Sequence, residues 1–181
     1  MEFYLRYEGR LKSKGSSTIG EKHAIRKHFH PQLKRLWEYS PLREATEFLN
    51  PSSRLCVIEK IGGVDFVPLV TSKLQLRCEL DILMLQPQPI TKVIYGGDID
   101  NRLKTLFDAL AMPNEAQLPS DTAASEPIYC LLQDDSLVTS VQVRSDKLLD
   151  GRNPNQVFLC IRVSVIAGEP ILRHLDIGRP E

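Results

Sequence analysis

The sequence GGDIDNRLKTLFDAL, residues 96–110, predicts an amphipathic helix that follows a two-glycine turn. Its apolar residues recur at i, i+3, i+4 and i+7, the spacing of a helix face that packs on a core: Leu103, Leu106, Phe107 and Leu110. Asp98 or Asp100 is expected to cap the start of this helix, where the helix dipole favours negative charge. The stretch therefore predicts a docked helix whose first turn is acidic.

Charged residues line one side of the predicted helix. Asp100, Lys104 and Asp108 are spaced four residues apart, so they share a face beside the apolar stripe. A second acidic pair, Asp134 and Asp135, follows after a connection and a short apolar run. The pattern leaves two interpretations open: a functional cluster of carboxylates, or a well-capped helix.

The rest of the chain predicts a single α+β domain, residues 1–181. Alternation of apolar and polar residues predicts strands at 2–11, 55–61, 64–70, 74–85, 128–132, 136–144 and 157–166. Gly62 and Gly63 predict a hairpin turn between two of them. Helical spacing predicts helices at 21–37, with a kink or break near Pro31, and at 42–49. We expect a RusA-like, mostly antiparallel or mixed sheet with its helices packed on one face.

Charge is unevenly distributed along a chain whose formal net charge is zero. Residues 10–43 contain nine Lys/Arg, two Glu and three of the four His, whereas residues 98–138 contain eight Asp/Glu and two Lys/Arg. We therefore predict an extra basic helical segment at about residues 20–49 and a flexible acidic insert at about residues 111–127. A basic surface attracts polyanions, and an acidic pocket collects cations, although both segments are also compatible with plain solvated faces.

Several function classes are disfavoured by composition. The four cysteines are far apart, which favours reduced thiols and argues against a zinc site. No apolar run has the length of a membrane span or a signal peptide core, so we expect a cytoplasmic protein without a membrane partner. The sequence has no phosphate-binding G-x-x-x-x-G-K motif and no recognisable nucleophile signature.

The acidic residues favour a divalent metal site if the chain brings them together. Asp98, Asp100 and Asp135 in one cleft would repel one another, and Mg²⁺, which prefers hard oxygen ligands, would relieve that repulsion. Such a metal activates water for phosphodiester hydrolysis, and Lys104 would stabilise charge on the phosphoryl group. The D-x-D pair alone also occurs in other phosphoester enzymes and in capped helices.

The wider pattern is more specific. It joins D-x-D-N-x-x-K-x-x-x-D-A-L, beginning at Asp98, with D-D-x-x-V, beginning at Asp134. This pattern, which covers about a quarter of the chain, resembles the RusA family of Holliday junction resolvases. The resemblance implies a homodimer that makes paired nicks in four-way DNA junctions with Mg²⁺ or Mn²⁺.

Site residues follow from the resemblance by motif position. It implies that Asp98, Asp100 and Asp135 bind the metal and that Lys104 is the catalytic lysine. Asp134, which precedes the matched acid, is expected either to join the metal ligands or to assist and orient Asp135. Two further motif positions match structural roles: Asp108 as an ion-pair partner of Lys104, and Asn101 as a hydrogen-bonding residue at the helix start. The acidic insert and the basic N-terminal helix depart from the family pattern.

The basic helix supplies candidate DNA-binding cations, and an arginine of the acidic helix adds another: Arg26, Lys27, Lys34, Arg35 and Arg102. The helix also carries His23, His28 and His30, which are metal ligands or, more simply, part of a cation-rich face. An alternative function is a non-catalytic module that binds nucleic acid or a partner protein through this helix. Another is a metal-dependent hydrolase of a different phosphoester.

Overall fold

The computed structural model describes residues 1–87, 98–120, 122, 126–149, 156–168 and 179–180. These residues form an α+β fold, as the sequence predicts. The strands are β1 (Glu2–Arg10), β2 (Glu59–Ile61), β3 (Val64–Val70), β4 (Leu76–Gln86), β5 (Ile128–Leu132), β6 (Val138–Lys147), β7 (Gln156–Ala167) and β8 (Arg179–Pro180). The helices are α1 (Ile19–Leu36) and α2 (Asp98–Leu110).

The strands form two mixed sheets. The larger sheet has the order β1-β7-β4-β6, with β8 also paired to β7, and the smaller has the order β2-β3-β5. β7 is antiparallel to both β1 and β4, whereas β6 runs parallel to β4 and β5 runs parallel to β3. Gly62 and Gly63 have φ angles of 55° and 83° and join β2 to β3, as predicted for a tight hairpin.

The two helices connect the sheets, and their buried apolar side chains belong to the larger of two described hydrophobic clusters. α1 contacts β1, β5 and α2, and α2 also contacts β5. One side of α1 faces the core, because Ile25, Phe29 and Leu33 are buried, as is Trp37 directly after the helix. In α2, Leu106 and Leu110 are buried, while Leu103 and Phe107 pack partly buried against the same core.

Three local predictions need correction. Pro31 does not divide α1, which runs through it without interruption. Residues 42–49 form turns and a single 3₁₀ turn, Thr46–Phe48, since a helix this short gains too few hydrogen bonds to offset its nucleation cost. The strand predicted at residues 55–61 is shortened to its last three residues, because Val57 donates its N–H to the carbonyl of Phe48 instead of pairing with β3.

The acidic insert is described only in part. Glu115–Gln117 forms a 3₁₀ turn capped by Asn114, and Glu126 lies near the end of the insert, just before β5. Residue 121 and residues 123–125 lie outside the described residues, and the predicted flexibility of the insert stays a prediction. No helix among the described ranges is long and apolar enough to cross a membrane.

Candidate functional site

The first turns of α2 present an exposed ion pair. The Lys104 ammonium lies 2.5 Å from Oδ2 of Asp100, and the two side chains are 48% and 66% exposed. Because α2 begins at Asp98, Asp100 is its third residue and not its N-cap. Gly96, Gly97 and the side chain of Asp98 lie outside the described part of the chain. Asp100 and Lys104 are therefore the described members of the predicted site on α2.

Asp108 does not pair with Lys104, contrary to our expectation. Its Oδ2 lies 2.6 Å from the Lys22 ammonium and 4.0 Å from the Lys14 ammonium. The side chains of Lys22 and Asp108 are only 16% and 14% exposed. The reason is the packing of α1 on α2, which brings Lys22 against Asp108, so a tertiary ion pair replaces the predicted one within α2.

Arg26 is buried, and its assignment to an exposed DNA-binding face is wrong. Its side chain is 2% exposed. The guanidinium donates from Nε to the carbonyl of Ala111 at 3.0 Å and from Nη2 to the carbonyl of Asp108 at 2.7 Å. Carbonyl groups at the end of a helix lack intrahelical donors and carry partial negative charge. Arg26 therefore caps the C-terminus of α2, and burial lowers its pKa while Asp108 opposes that shift.

The other predicted DNA-binding cations differ in their surroundings. Lys27 and Arg35 are exposed on α1, and Nε of Arg35 donates to the Tyr39 hydroxyl at 3.3 Å. Lys34 pairs with Glu126 of the acidic insert, which raises the pKa of the lysine. Nη1 of Arg102 donates to Gln86 Oε1 at 3.3 Å on a partly buried surface. Exposure therefore favours Lys27 and Arg35 as α1 residues that reach a ligand.

The three histidines of α1 have separate environments. His23 is buried beside Arg26, and its Nδ1 lies 3.3 Å from the guanidinium. His28 packs edge-on against Tyr7 at a ring-centroid distance of 5.1 Å. His30 accepts the Tyr129 N–H at Nδ1, and its Nε2 lies 3.5 Å from the Glu126 carboxylate. Each ring thus has its own contacts with neighbouring elements.

The second acidic pair lies on a turn that leads into β6. The Asp134 side chain accepts the Ser136 N–H at 3.0 Å and also the Ser136 hydroxyl. These hydrogen bonds, the hydroxyl first, lower the pKa of Asp134. Asp135 begins the 3₁₀ turn Asp135–Leu137 and is exposed. Asp134 is therefore placed to fix the turn that carries Asp135.

An open cleft of about 290 Å³ brings Asp134 and Asp135 together with Asp108. Its other lining residues are Ala111, Met112, Pro113, Asn114, Gln117 and Gln133. Asp100 lies eight residues before Asp108, which corresponds to about 12 Å along a helix axis. The cleft therefore adjoins the C-terminal half of α2, and the Asp100–Lys104 pair lies toward the other end of the helix.

Metal ligation by the predicted carboxylates depends on Asp98. Among the side chains that the structure describes, no group of three or more His, Cys, Asp or Glu residues is arranged to hold a metal ion. Asp100, Asp134 and Asp135 therefore do not form such a group by themselves. The four-residue set that includes Asp98 stays a prediction.

Sequence reasoning missed Lys14 and Lys22 as neighbours of the site. Lys22, Arg26 and Phe29 are spaced i, i+4 and i+7, so the two cations share a helix face with a buried phenylalanine. That spacing was a usable signal for inward-facing cations. Lys14 lies in a Gly/Ser-rich loop, where the sequence has no periodicity that would place it beside α2.

Comparison of the chain with protein-family models, curated proteins and solved structures gave no match. Two features of the chain therefore bear on its function. One is the motif that runs from Asp98 to Asp108 and resumes at Asp134. The other is the placement of its described side chains on α2 and on the turn before β6.

Proposed function

We propose that this protein is a divalent-cation-dependent endonuclease that cuts branched DNA such as a four-way junction. The observation that carries the proposal is the position of Asp100 and Lys104. Both lie on the exposed side of α2, paired with each other and available to a ligand. The motif joins this pair to a second acidic pair, Asp134 and Asp135, on the turn before β6.

The carboxylate chemistry fits Mg²⁺ or Mn²⁺. Asp100 and Asp135 are exposed carboxylates, and the hydrogen bonds from Ser136 lower the pKa of Asp134. With Asp98, they offer the hard oxygen ligands that these ions prefer. A cation held there would supply water activation and charge neutralisation for phosphodiester hydrolysis. We assign metal binding to Asp98, Asp100 and Asp135, and we assign the orientation of Asp135 to Asp134.

Lys104 is the proposed catalytic cation. Lys104 follows Asp100 by one helical turn and its ammonium lies 2.5 Å from the Asp100 carboxylate, so the group that would bind the metal and the group that would stabilise phosphoryl charge share one surface. A positioned cation is effective because it needs little rearrangement as negative charge develops on the phosphoryl oxygens. The Lys22–Asp108 pair and Arg26 hold the far end of α2 and thereby help to fix this surface.

We also propose that the active species is a homodimer, because paired nicks in a symmetric junction need two active sites. Strand β6 lies at one end of the larger sheet and pairs, among the described strands, with β4 alone. An edge strand of this kind is a surface on which a second copy can pair. Sedimentation analysis of the purified protein tests this point, since a monomer at working concentrations would contradict it.

The decisive experiment measures cleavage of labelled four-way junctions, flaps and linear duplexes with Mg²⁺ and with Mn²⁺. We expect the wild type to nick branched DNA and Asp100→Asn and Asp135→Asn to lose at least about 100-fold in rate. Glu44→Gln, which alters an exposed carboxylate in the turns after α1, is the matched control and should cut normally. A wild type that leaves every substrate intact with both metals would overturn the proposal.

The alternative of a non-catalytic binding module is less well supported by the described contacts. Lys22 and Arg26 are engaged inside the protein, and Lys34 is paired with the insert. Fewer cations of α1 therefore remain exposed than the sequence predicts. Salt-sensitive DNA binding by wild type that no metal converts into cleavage would favour the binding module.

A further inference from the structure

The loop formed by residues 12–18, which we call the basic loop, is attached to the start of α2. The N–H of Lys14 donates to the carbonyl of Asn101 at 2.9 Å, one residue after Asp100. Within the loop, the N–H groups of Ser16 and Ser17 both donate to the carbonyl of Ser13 at 3.0 Å. The loop is therefore internally hydrogen-bonded and fixed beside the exposed face of α2.

The positive charge of Lys14 is only weakly neutralised by the carboxylates described around it. Its ammonium lies 4.0 Å from Asp108, but that carboxylate already has a closer partner in Lys22 at 2.6 Å. The Lys14 side chain is 53% exposed. Near the start of the same loop, Lys12 lies 2.6 Å from Glu21 and lowers the pKa of that acid. The loop thus carries one paired lysine and one lysine that extends into solvent next to α2.

We infer that Lys14 binds a backbone phosphate of the nucleic acid beside the cleavage position. This inference rests on the proposed function for its location, because the phosphate must lie along the face that carries Asp100 and Lys104. Of the three lysines described near this face, Lys22 and Lys104 each have a carboxylate oxygen within 2.6 Å, whereas the Lys14 ammonium lies 4.0 Å from the carboxylate that it shares with Lys22. A phosphodiester supplies a single negative charge that the exposed Lys14 ammonium can bind.

The main-chain attachment makes Lys14 a suitable phosphate contact. Its N–H bond to Asn101 fixes the backbone of the loop, so only the side chain must be ordered when the ligand binds. The substitution Lys14→Gln keeps this N–H and removes only the charge. It therefore separates the loss of a phosphate contact from the loss of the loop.

The test is DNA binding without divalent cations, measured by fluorescence anisotropy with a labelled four-way junction and a labelled duplex over a series of salt concentrations. We expect Lys14→Gln to weaken binding about threefold or more and to reduce the salt slope by about one, whereas Lys14→Arg retains both. The matched control is Lys12→Gln, which removes an equal charge from the same loop at a lysine that is already paired. Lys12→Gln should leave the salt dependence of DNA binding unchanged.

Each outcome has a distinct meaning. A Lys14→Gln protein that keeps the wild-type affinity and slope overturns the inference, as does equal loss in the Lys12 and Lys14 variants. A wild type that binds neither probe overturns it as well. A wild type that binds through Lys14 but never cleaves DNA supports the phosphate contact and overturns only the endonuclease proposal. Circular dichroism of each variant confirms that the fold is unchanged.

Discussion

Nη2 of Arg26 donates to the carbonyl oxygen of Asp108 at 2.7 Å, and its Nε donates to Ala111 at 3.0 Å. One buried side chain of α1 thereby satisfies two carbonyl groups at the end of α2. The position of Arg26 in the basic segment suggested a ligand contact, but its burial makes it a connection between the two helices.

Arg26→Met should destabilise the protein strongly. The substitution leaves buried carbonyl oxygens without donors, and we expect the free energy of unfolding to fall by about 3 kcal/mol. Urea titration followed by circular dichroism measures this change. Lys27→Met is the matched control, because Lys27 is the next residue and is exposed, so its effect should stay within about 0.5 kcal/mol. Equal stability of the two variants would contradict the capping role of Arg26.

Lys22 and Asp108 should be energetically coupled. Both side chains are mostly buried and lie 2.6 Å apart, so water screens their attraction less than it screens an exposed pair. A double-mutant cycle with Lys22→Met and Asp108→Asn should give a coupling energy of about 1–2 kcal/mol. The cycle of Lys104→Met and Asp100→Asn should give less than about 0.5 kcal/mol for the exposed pair. A larger coupling energy for Lys104 and Asp100 than for Lys22 and Asp108 would contradict this description of the two pairs.

Acid should weaken the turn before β6, because protonation of Asp134 removes the charge that accepts its hydrogen bonds. The hydrogen bonds from Ser136 lower the folded-state pKa of Asp134 below its ordinary value of 3.8. A lowered folded-state pKa contributes stability above the unfolded-state pKa, and that contribution is lost as pH falls through the folded-state pKa. Ser136→Ala removes the hydroxyl donor, so the titration of Asp134 should move upward toward 3.8 when followed by carboxyl ¹³C NMR. An unchanged titration would show that the hydroxyl has no such effect.

Glu126→Gln should strengthen DNA binding if Lys34 is a phosphate contact. Glu126 of the insert pairs with Lys34 and thereby neutralises one of the cations that we proposed for DNA. Removing this charge should steepen the salt dependence of binding by about one in slope, and Lys34→Gln should abolish the gain. Glu115→Gln, an exposed acid elsewhere in the insert, provides the control. Equal effects of the two glutamate variants would point to the overall charge of the insert instead.

The sequence predicted those features that depend on local periodicity. Alternation in β4 corresponds to alternating buried residues, and the i, i+3, i+4 and i+7 stripe of α2 corresponds to two buried and two partly buried residues. The Gly62–Gly63 hairpin was also predictable, because a turn with two positive φ angles favours glycine. The order of the strands was not predictable from local sequence. β7 lies between β1 and β4, and its pairing with β1 joins residues that are far apart in the chain.

Lys104 illustrates why the ion pairs were harder to predict. An acid lies four residues before it, at Asp100, and another four residues after it, at Asp108, so helical spacing permits either pair. Helix α1 decides between them, because Lys22 pairs with Asp108 and leaves Asp100 to Lys104. To predict this pairing, the position of Lys22 on α1 must be known, and the local sequence of α2 does not contain that information.

The attachment of α2 to the N-terminal segment also has a consequence for the order of folding. Arg26 and Ala111 are separated by 85 residues, and Lys22 and Asp108 by 86. Contacts of such long sequence separation require closure of a large loop and form slowly compared with local ones. On the ribosome, α1 is complete long before its partner is synthesised, so the surface that carries Asp100 and Lys104 acquires its final support only after the chain has passed residue 111.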